Sequence, residues 1–283
     1  MKTSQLPIGV FDSGVGGLTV ARAIQTQLPY ESVVYFGDRA RCPYGDQAPA
    51  DVLRYAVEIT QFLLEHPVKC IVIACNTATA VALPTLKSMF DVPIIGVIKP
   101  GAQAAIEASH NGNIGVIGTS VTIESHAYQA AIHEIAPDAK VIEQACPAFV
   151  PLVERGLFEG QLVEQTVRDS LDSFQGSDVD TLVLGCTHYP MLSNVIRRVM
   201  GPAVRVISSA DATAAGVRDM LKFLDMEGQR GTASDHRYYT TGDEATLRLA
   251  LANWFGTKVT SDSVRHVALP FPLHPVVNRA VVR

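Results

Sequence analysis

The feature that most constrains the fold is a series of short, continuous apolar runs rich in valine and isoleucine. They occupy residues 8–11, 33–36, 70–74, 94–97, 114–117, 182–184 and 204–207. Because these runs are continuous rather than alternating, they predict strands that are buried on both faces of a parallel sheet. Residues 50–65 repeat apolar side chains at three- and four-residue steps, which predicts a helix. Alternating strands and helices predict α/β layers with right-handed crossovers.

Two landmarks recur in the same order and at nearly the same interval. Ile-Gly-Val occurs at residues 8–10 and 114–116, and an apolar run leads into Cys75 and again into Cys186. This repeat predicts two related α/β domains with mostly parallel sheets, a pseudo-two-fold axis and an active site in the cleft between them. We expect residues 1–99 plus 211–283 to form the first domain and residues 100–210 to form the second. Chance reuse of similar strand-to-loop pieces is the alternative.

Composition narrows the classes of partner. The chain has 283 residues, of which 47% are apolar and 18% charged, as in globular proteins. A net charge of −5 with scattered basic residues gives no reason to expect nucleic acid. No apolar run approaches the ~18 residues that span a bilayer, and residues 1–7 lack the zones of a signal peptide. We therefore expect a cytoplasmic protein that binds no membrane.

The five cysteines, at positions 42, 70, 75, 146 and 186, are an odd number without C-x-x-C pairs. This spacing suggests neither a disulfide framework nor a zinc site. Cys75 and Cys186 each follow an apolar run, and Asn76-Thr77 and Thr187-His188 come next. We expect each cysteine at the first turn of a helix, where the helix dipole lowers a thiol pKa from about 8.5. A buried packing role is the alternative for either cysteine alone.

Other candidate residues follow the first two strands and the second cysteine. The loop at residues 12–17 reads Asp-Ser-Gly-Val-Gly-Gly, which permits a tight turn and close approach to a ligand. Asp12 either faces that ligand or caps the next helix. The segment from Asp38 to Pro43-Tyr44-Gly45 either binds a carboxylate or forms an ordinary turn. His188 is well placed as an acid–base partner of Cys186. For Glu154 the sequence favours a surface charge.

Together these segments resemble the glutamate racemases of the aspartate/glutamate racemase family. The matching stretches are residues 9–18, 35–38, 43–45, 74–79, 118–119, 122–123 and 184–190, which span roughly residues 8 to 190. The resemblance implies racemisation between L- and D-glutamate without pyridoxal phosphate, metal or nucleotide. It further implies D-glutamate supply to peptidoglycan synthesis, and hence to cell-wall biogenesis and cell shape. A homodimer is also expected.

The resemblance also assigns roles to individual residues. Cys75 and Cys186 would face opposite sides of the α-carbon, with Asp12 assisting the former and His188 the latter. Glu154 resembles a further acidic residue of the site. The residues expected to bind substrate are Asp12, Ser13, Asp38, Pro43, Tyr44, Gly45, Asn76, Thr77, Thr119, Thr187 and His188.

Three alternatives remain open at this stage. The nearest is the same two-base chemistry on aspartate or another amino acid, since the related aspartate racemases also pair two cysteines. A cysteine hydrolase using Cys186 with His188 would need no second cysteine. A non-catalytic amino-acid-binding protein would need only the cleft.

Overall fold

The computed structural model describes residues 3–229, 234–256 and 263–268. These residues form two β-sheets in which neighbouring strands run parallel. The strands are β1 (Ile8–Asp12), β2 (Val33–Gly37), β3 (Cys70–Ile73), β4 (Ile94–Gly96), β5 (Asn113–Gly118), β6 (Lys140–Ala145), β7 (Thr181–Gly185), β8 (Arg205–Ser208), β9 (Arg237–Thr240) and β10 (Val264–His266). All seven predicted strands are present, and the α/β prediction is confirmed.

Helices cover both faces of each sheet. They are α1 (Leu18–Gln27), α2 (Pro49–Glu65), α3 (Asn76–Met89), α4 (Ile98–Ala108), α5 (Ser120–Glu124), α6 (Ala127–Ile135), α7 (Phe149–Glu154), α8 (Gln161–Ser170), α9 (Ser193–Met200), α10 (Ser209–Phe223) and α11 (Glu244–Phe255). One apolar cluster on the first sheet packs α1 and α10, and a cluster on its other face packs α2 and α3. The second sheet is likewise covered by α7 to α9 on one face and by α4 and α6 on the other.

The two sheets share one strand order. The first runs β10-β9-β2-β1-β3-β4 and the second runs β6-β5-β7-β8, so β2-β1-β3-β4 corresponds to β6-β5-β7-β8. Cys75 follows the third strand of the first sheet, and Cys186 follows the third strand of the second. The internal repeat read from the sequence is therefore a repeat of topology.

Burial explains which strands the sequence reveals. β1, β2, β3 and β7 are buried at every position, so their side chains are apolar almost throughout. β6 was not predicted because it lies at a sheet edge, with polar residues and partial exposure along its length. β10, at the edge of the first sheet, and β9, between β10 and β2, are short strands of three and four residues and were also not predicted.

The chain passes between the two sheets through α4 and α10, which pack against each other. Gly101 on α4 permits this approach, since a Cβ there would lie 3.0 Å from Ser209 Cβ. No helix in the described part of the chain is long and apolar enough to cross a membrane.

Candidate active site

Loops that follow the strands of both sheets meet at one enclosed cavity. Its lining contains one cysteine from each half of the molecule, Cys75 and Cys186. Eleven of the residues predicted for the site line it together: Ser13, Pro43, Tyr44, Gly45, Cys75, Asn76, Thr77, Thr119, Cys186, Thr187 and His188. The carboxyl ends of parallel strands share one edge of a sheet, so residues distant in sequence converge here.

The first cysteine begins a helix as expected. Cys75 is the N-cap of α3, and its Sγ accepts a hydrogen bond of 3.4 Å from the backbone N–H of Ala78. Ser13 Oγ lies 3.8 Å from the same sulfur. The expected lowering of the Cys75 pKa is nevertheless wrong for this structure. Burial, followed by the nearby Asp12 carboxylate, raises the pKa of the Cys75 thiol to about 12, and the N–H of Ala78 offsets only part of this.

The second cysteine departs from the predicted pattern. Cys186 is followed by a short 3-10 helix, Tyr189–Leu192, and α9 begins only at Ser193. It therefore caps no α-helix, and the expectation that both cysteines lie at a helix start holds only for Cys75. The immediate partner of Cys186 is a side chain, because His188 Nδ1 lies 3.9 Å from its Sγ.

His188 is part of a chain of charged groups behind Cys186. Its Nε2 is 2.7 Å from Glu154 Oε1, and Glu154 Oε2 accepts a hydrogen bond of 3.1 Å from Arg39. Burial lowers the pKa of His188, but its hydrogen bonds to Cys186 and Glu154 outweigh this and raise the pKa to about 10. Burial raises the pKa of Glu154, but the contacts with His188 and Arg39 produce a net lowering. The surface interpretation of Glu154 is wrong, since its side chain is 24% exposed and bonded to the imidazole.

Asp12 is fully buried and does not line the cavity, in contrast to its predicted place among the substrate contacts. Its Oδ2 accepts hydrogen bonds from the N–H groups of Gly14 and Gly17, at 3.0 and 2.9 Å, which fixes the loop that leads into α1. Its Oδ1 accepts a hydrogen bond of 3.1 Å from Thr187 Oγ1 of the other half. Burial raises the pKa of Asp12 despite these bonds and the nearby His188.

Asp38 does not line the cavity, in contrast to its predicted place among the substrate contacts. It is fully buried, and its carboxylate accepts hydrogen bonds from Tyr44 Oη, Arg41 Nε at 2.6 Å and Thr241 Oγ1 at 2.8 Å. A carboxylate with three protein donors has little capacity left for a ligand. Its position indicates that it holds Tyr44 against the cavity.

Threonine hydroxyls join the two halves across the cavity. Thr77 Oγ1 lies 2.9 Å from Thr119 Oγ1, which is 3.0 Å from Thr122 Oγ1.

The Asn76 amide offers the cavity an unused donor. Tyr128 donates a hydrogen bond of 2.7 Å to Asn76 Oδ1 and so fixes the orientation of that amide. Asn76 Nδ2 is buried on the cavity and has no hydrogen-bond partner among the described residues. It is a free donor directed at a place where a ligand would bind.

Sequence reasoning missed three residues that shape this site. Val150, on α7, completes the lining of the cavity, and Arg39 and Tyr128 orient Glu154 and Asn76. Arg39 follows Asp38 directly after β2, so its position at a strand end was a usable signal. Val150 and Tyr128 lie within helices and carry no such signal, because their contacts depend on how those helices pack.

Two matching α/β halves that each contribute a cysteine to one shared cavity define an isomerase of the racemase class. The chain belongs to the Asp/Glu/Hydantoin racemase family, whose sequence profile matches residues 8–217. All residues that line the cavity, from Ser13 to His188, lie inside the matched range.

Individual relatives are similar over nearly the whole chain. The glutamate racemase of Shouchella clausii is 47% identical over 267 residues, covering 94% of this chain and 96% of the relative. A glutamate racemase isoform of Bacillus anthracis superposes with a TM-score of 0.91 at 42% identity, covering 95% of this chain and 100% of the other. The glutamate racemase of Francisella tularensis, solved in complex with D-glutamate, superposes with a TM-score of 0.86 at 32% identity, covering 94% and 98%.

Proposed function

We propose that this chain interconverts L- and D-glutamate by a two-base proton transfer in which Cys75 and Cys186 face opposite sides of the α-carbon. The observation that carries the proposal is that one cysteine from each half of the molecule lines the same cavity. Similarity to glutamate racemases along more than nine-tenths of the chain supports glutamate as the substrate.

Inversion at carbon explains the need for two sulfur atoms. One thiolate removes the α-proton while the thiol of the other cysteine delivers a proton to the opposite face. The two sulfurs exchange protonation states in each turnover, and the reverse reaction restores them. A single base would have to return its proton to the face from which it came.

The substrate's charged groups match the donors around the cavity. The free Asn76 Nδ2, the hydroxyl of Ser13 and the backbone N–H groups at the start of α3 can bind carboxylates. Thr187 also lines the cavity, but its hydroxyl proton is donated to Asp12. Tyr44 and Gly45 close the cavity from the loop after β2, and Thr119 closes it from the second half. Carboxylate binding and fixed dipoles stabilise the negative charge that develops when the α-proton leaves.

Each sulfur has a different group to support its proton transfer. Asp12 lies near Cys75, and the pair of His188 and Glu154 supports Cys186. The raised pKa keeps the Cys75 thiol protonated at neutral pH until a substrate binds. The ammonium group of a bound amino acid would favour the thiolate by direct electrostatic attraction. Substrate binding therefore favours the Cys75 thiolate, which is the form that can remove the α-proton.

The two-base mechanism is tested by removing each sulfur separately. Cys75→Ala and Cys186→Ala should each abolish racemisation, measured by circular dichroism, while glutamate binding measured by calorimetry persists. Cys70→Ala is the matched control, because Cys70 lies at the opposite end of β3 from the cavity. Full activity in either site variant contradicts the mechanism.

Aspartate or another amino acid remains the alternative substrate for the same mechanism. Purified protein should be incubated in D₂O with each L-amino acid, and deuterium at the α-carbon followed by NMR. We expect the largest kcat/KM for glutamate. A larger value for aspartate would overturn the substrate assignment and leave the two-base mechanism intact.

The remaining expectations belong to the same proposal. Residues 1–99 plus 211–283 and residues 100–210 would form the two domains, which the membership of the two sheets supports for the described residues. The enzyme would act in the cytoplasm as a homodimer and supply D-glutamate for peptidoglycan synthesis. Sedimentation velocity measures the oligomeric state, and a monomer at working concentration would contradict the dimer.

A further inference from the structure

Cys42 and Glu154 form a cluster with His188, which lines the cavity. Each offers one possible ligand atom, and these three atoms lie within 4.8 Å of one another. Cys42 comes from the loop after β2, Glu154 from the end of α7 and His188 from the loop after β7. The cluster therefore joins the two halves of the molecule.

We propose that this cluster is an inhibitory binding site for Zn²⁺, with Cys42 Sγ, a Glu154 carboxylate oxygen and a His188 ring nitrogen as its three protein ligands. Thiolate, imidazole and carboxylate are the ligand types that Zn²⁺ takes in proteins. The cysteine spacing gave no hint of this site, because the three ligands come from distant segments rather than from a C-x-x-C motif.

The contacts of the three side chains leave room for a metal. Cys42 Sγ makes no hydrogen bond with the described residues, so its lone pairs are available. Gly14 lies beside all three side chains, and because it has no side chain it leaves the space between them open. A Cβ on Gly14 would lie 3.3 Å from Cys42 Sγ and 3.6 Å from Glu154 Oε1, with His188 Cε1 at 3.7 Å.

Distances and access also fit a metal with three protein ligands. Zinc bonds of about 2.0–2.3 Å set ligand–ligand separations of roughly 3.3–3.8 Å. Ligand atoms that already lie within 4.8 Å of one another need only small shifts to reach these separations, including a widening of the 2.7 Å between His188 Nε2 and Glu154 Oε1. Glu154 is 24% exposed, which gives an ion a path from solvent and leaves a fourth position for water. Arg39 bonds the other carboxylate oxygen, and its positive charge weakens the site without blocking it.

Binding would inhibit through His188. The thiol of Cys42 and the imidazolium of His188 would each release one proton to solvent as the metal–ligand bonds form. A metal-bound imidazole could no longer accept and return the proton that it exchanges with Cys186. The metal would also hold the loop after β2 against the second half, which opposes opening of the cavity for product release.

The test compares Zn²⁺ inhibition and Co²⁺ binding in the full chain and in Cys42→Ser. Cys42 has no assigned part in racemisation, so this variant should keep basal activity within about threefold. We expect its half-inhibitory Zn²⁺ concentration to rise roughly 100-fold, since loss of even an outer-sphere contact costs 10–100-fold in metal affinity. The thiolate-to-Co²⁺ absorption band in the near ultraviolet should disappear, while Cys70→Ala should keep both responses.

Three outcomes would overturn the proposal. One is equal Zn²⁺ inhibition of Cys42→Ser, which would direct the metal to Cys75 and Cys186 instead. Another is a Co²⁺–thiolate band that survives the substitution. The third is the absence of Co²⁺ binding to the unmodified chain at millimolar concentration. If Cys42→Ser fails to fold, Cys42→Ala replaces it in the same assays. The binding readout needs no turnover, so its failure is distinguishable from failure of the racemase assignment.

Discussion

Gly45→Ala should separate the two halves of the active site without unfolding either of them. Gly45 belongs to the loop after β2, and Thr119 follows β5 in the other sheet. A Cβ on residue 45 would lie 2.5 Å from Thr119 Cβ and 2.7 Å from Thr119 Cγ2. Non-bonded carbons require about 3.5–4.0 Å, so the loops must move apart by about 1 Å. Rotation of the threonine does not relieve the contact, because its Cβ does not move with χ1.

The predicted cost follows from that displacement. Misplacement of catalytic groups by about 1 Å can lower the rate 10²-fold, which corresponds to about 2.7 kcal/mol in the activation barrier. The substituted residue keeps its backbone N–H, so any loss reports geometry rather than a missing donor. We expect kcat/KM for glutamate to fall about 100-fold, measured by circular dichroism in both directions. The urea unfolding midpoint should change little, because both residues lie in loops outside the apolar clusters.

The matched control is Gly9→Ala, the same substitution at a buried glycine of β1. Its added Cβ would make contacts no closer than 3.4 Å, an ordinary van der Waals distance, so activity should stay within about threefold of the parent. Retention of more than a third of the parent kcat/KM by Gly45→Ala would refute the reasoning. A large drop in its unfolding midpoint would also do so, because the activity loss would then reflect instability.

Three further predictions concern buried charges and thiols. Lys69→Met should lower the free energy of unfolding by about 3–5 kcal/mol in urea titrations, because it leaves buried Glu31, now 2.5 Å from Lys69 Nζ, without its cation. Adding Glu31→Gln should recover part of that loss; no recovery would contradict the explanation. In ligand-free protein the alkylation rate of Cys75 should rise about tenfold per pH unit to pH 9, because its pKa lies near 12. A plateau near pH 8.5 in peptide mass spectrometry would count against this. Asp38→Asn should lower kcat/KM about tenfold by releasing Tyr44, and unchanged kinetics would show that Tyr44 needs no such anchor.

The sequence reveals the interior of this fold better than its edges for a physical reason. A strand such as β1 is buried on both faces, so it consists of apolar residues and stands out from its surroundings. β6 has a free edge and partly exposed side chains, so Lys140 and Glu143 are tolerated in it. Its sequence therefore carries no run of apolar residues that could be recognised as a strand.

The same distinction applies to the site. Cys75, Thr119 and Thr187 lie within two residues of the ends of their strands, and parallel strands bring such positions to one edge whatever the details of packing. Glu154 lies at the end of a helix, and its side chain reaches His188 only because α7 packs beside the loop after β7. A pattern along one segment does not contain the relative placement of two segments. For this reason the sequence alone misread the acidic partner of the histidine.

The repeat also explains why the two sulfurs are equivalent in position but differ in chemistry. Cys75 has a helix N-terminus and a buried carboxylate nearby, whereas Cys186 has an imidazole bonded to a second carboxylate. The two proton transfers therefore have different energetic supports. For glutamate racemisation the enantiomers have equal free energy in water, so the equilibrium constant is one. Any substitution must then change kcat/KM equally in both directions, and the asymmetry of the site can appear only in kcat and KM taken separately.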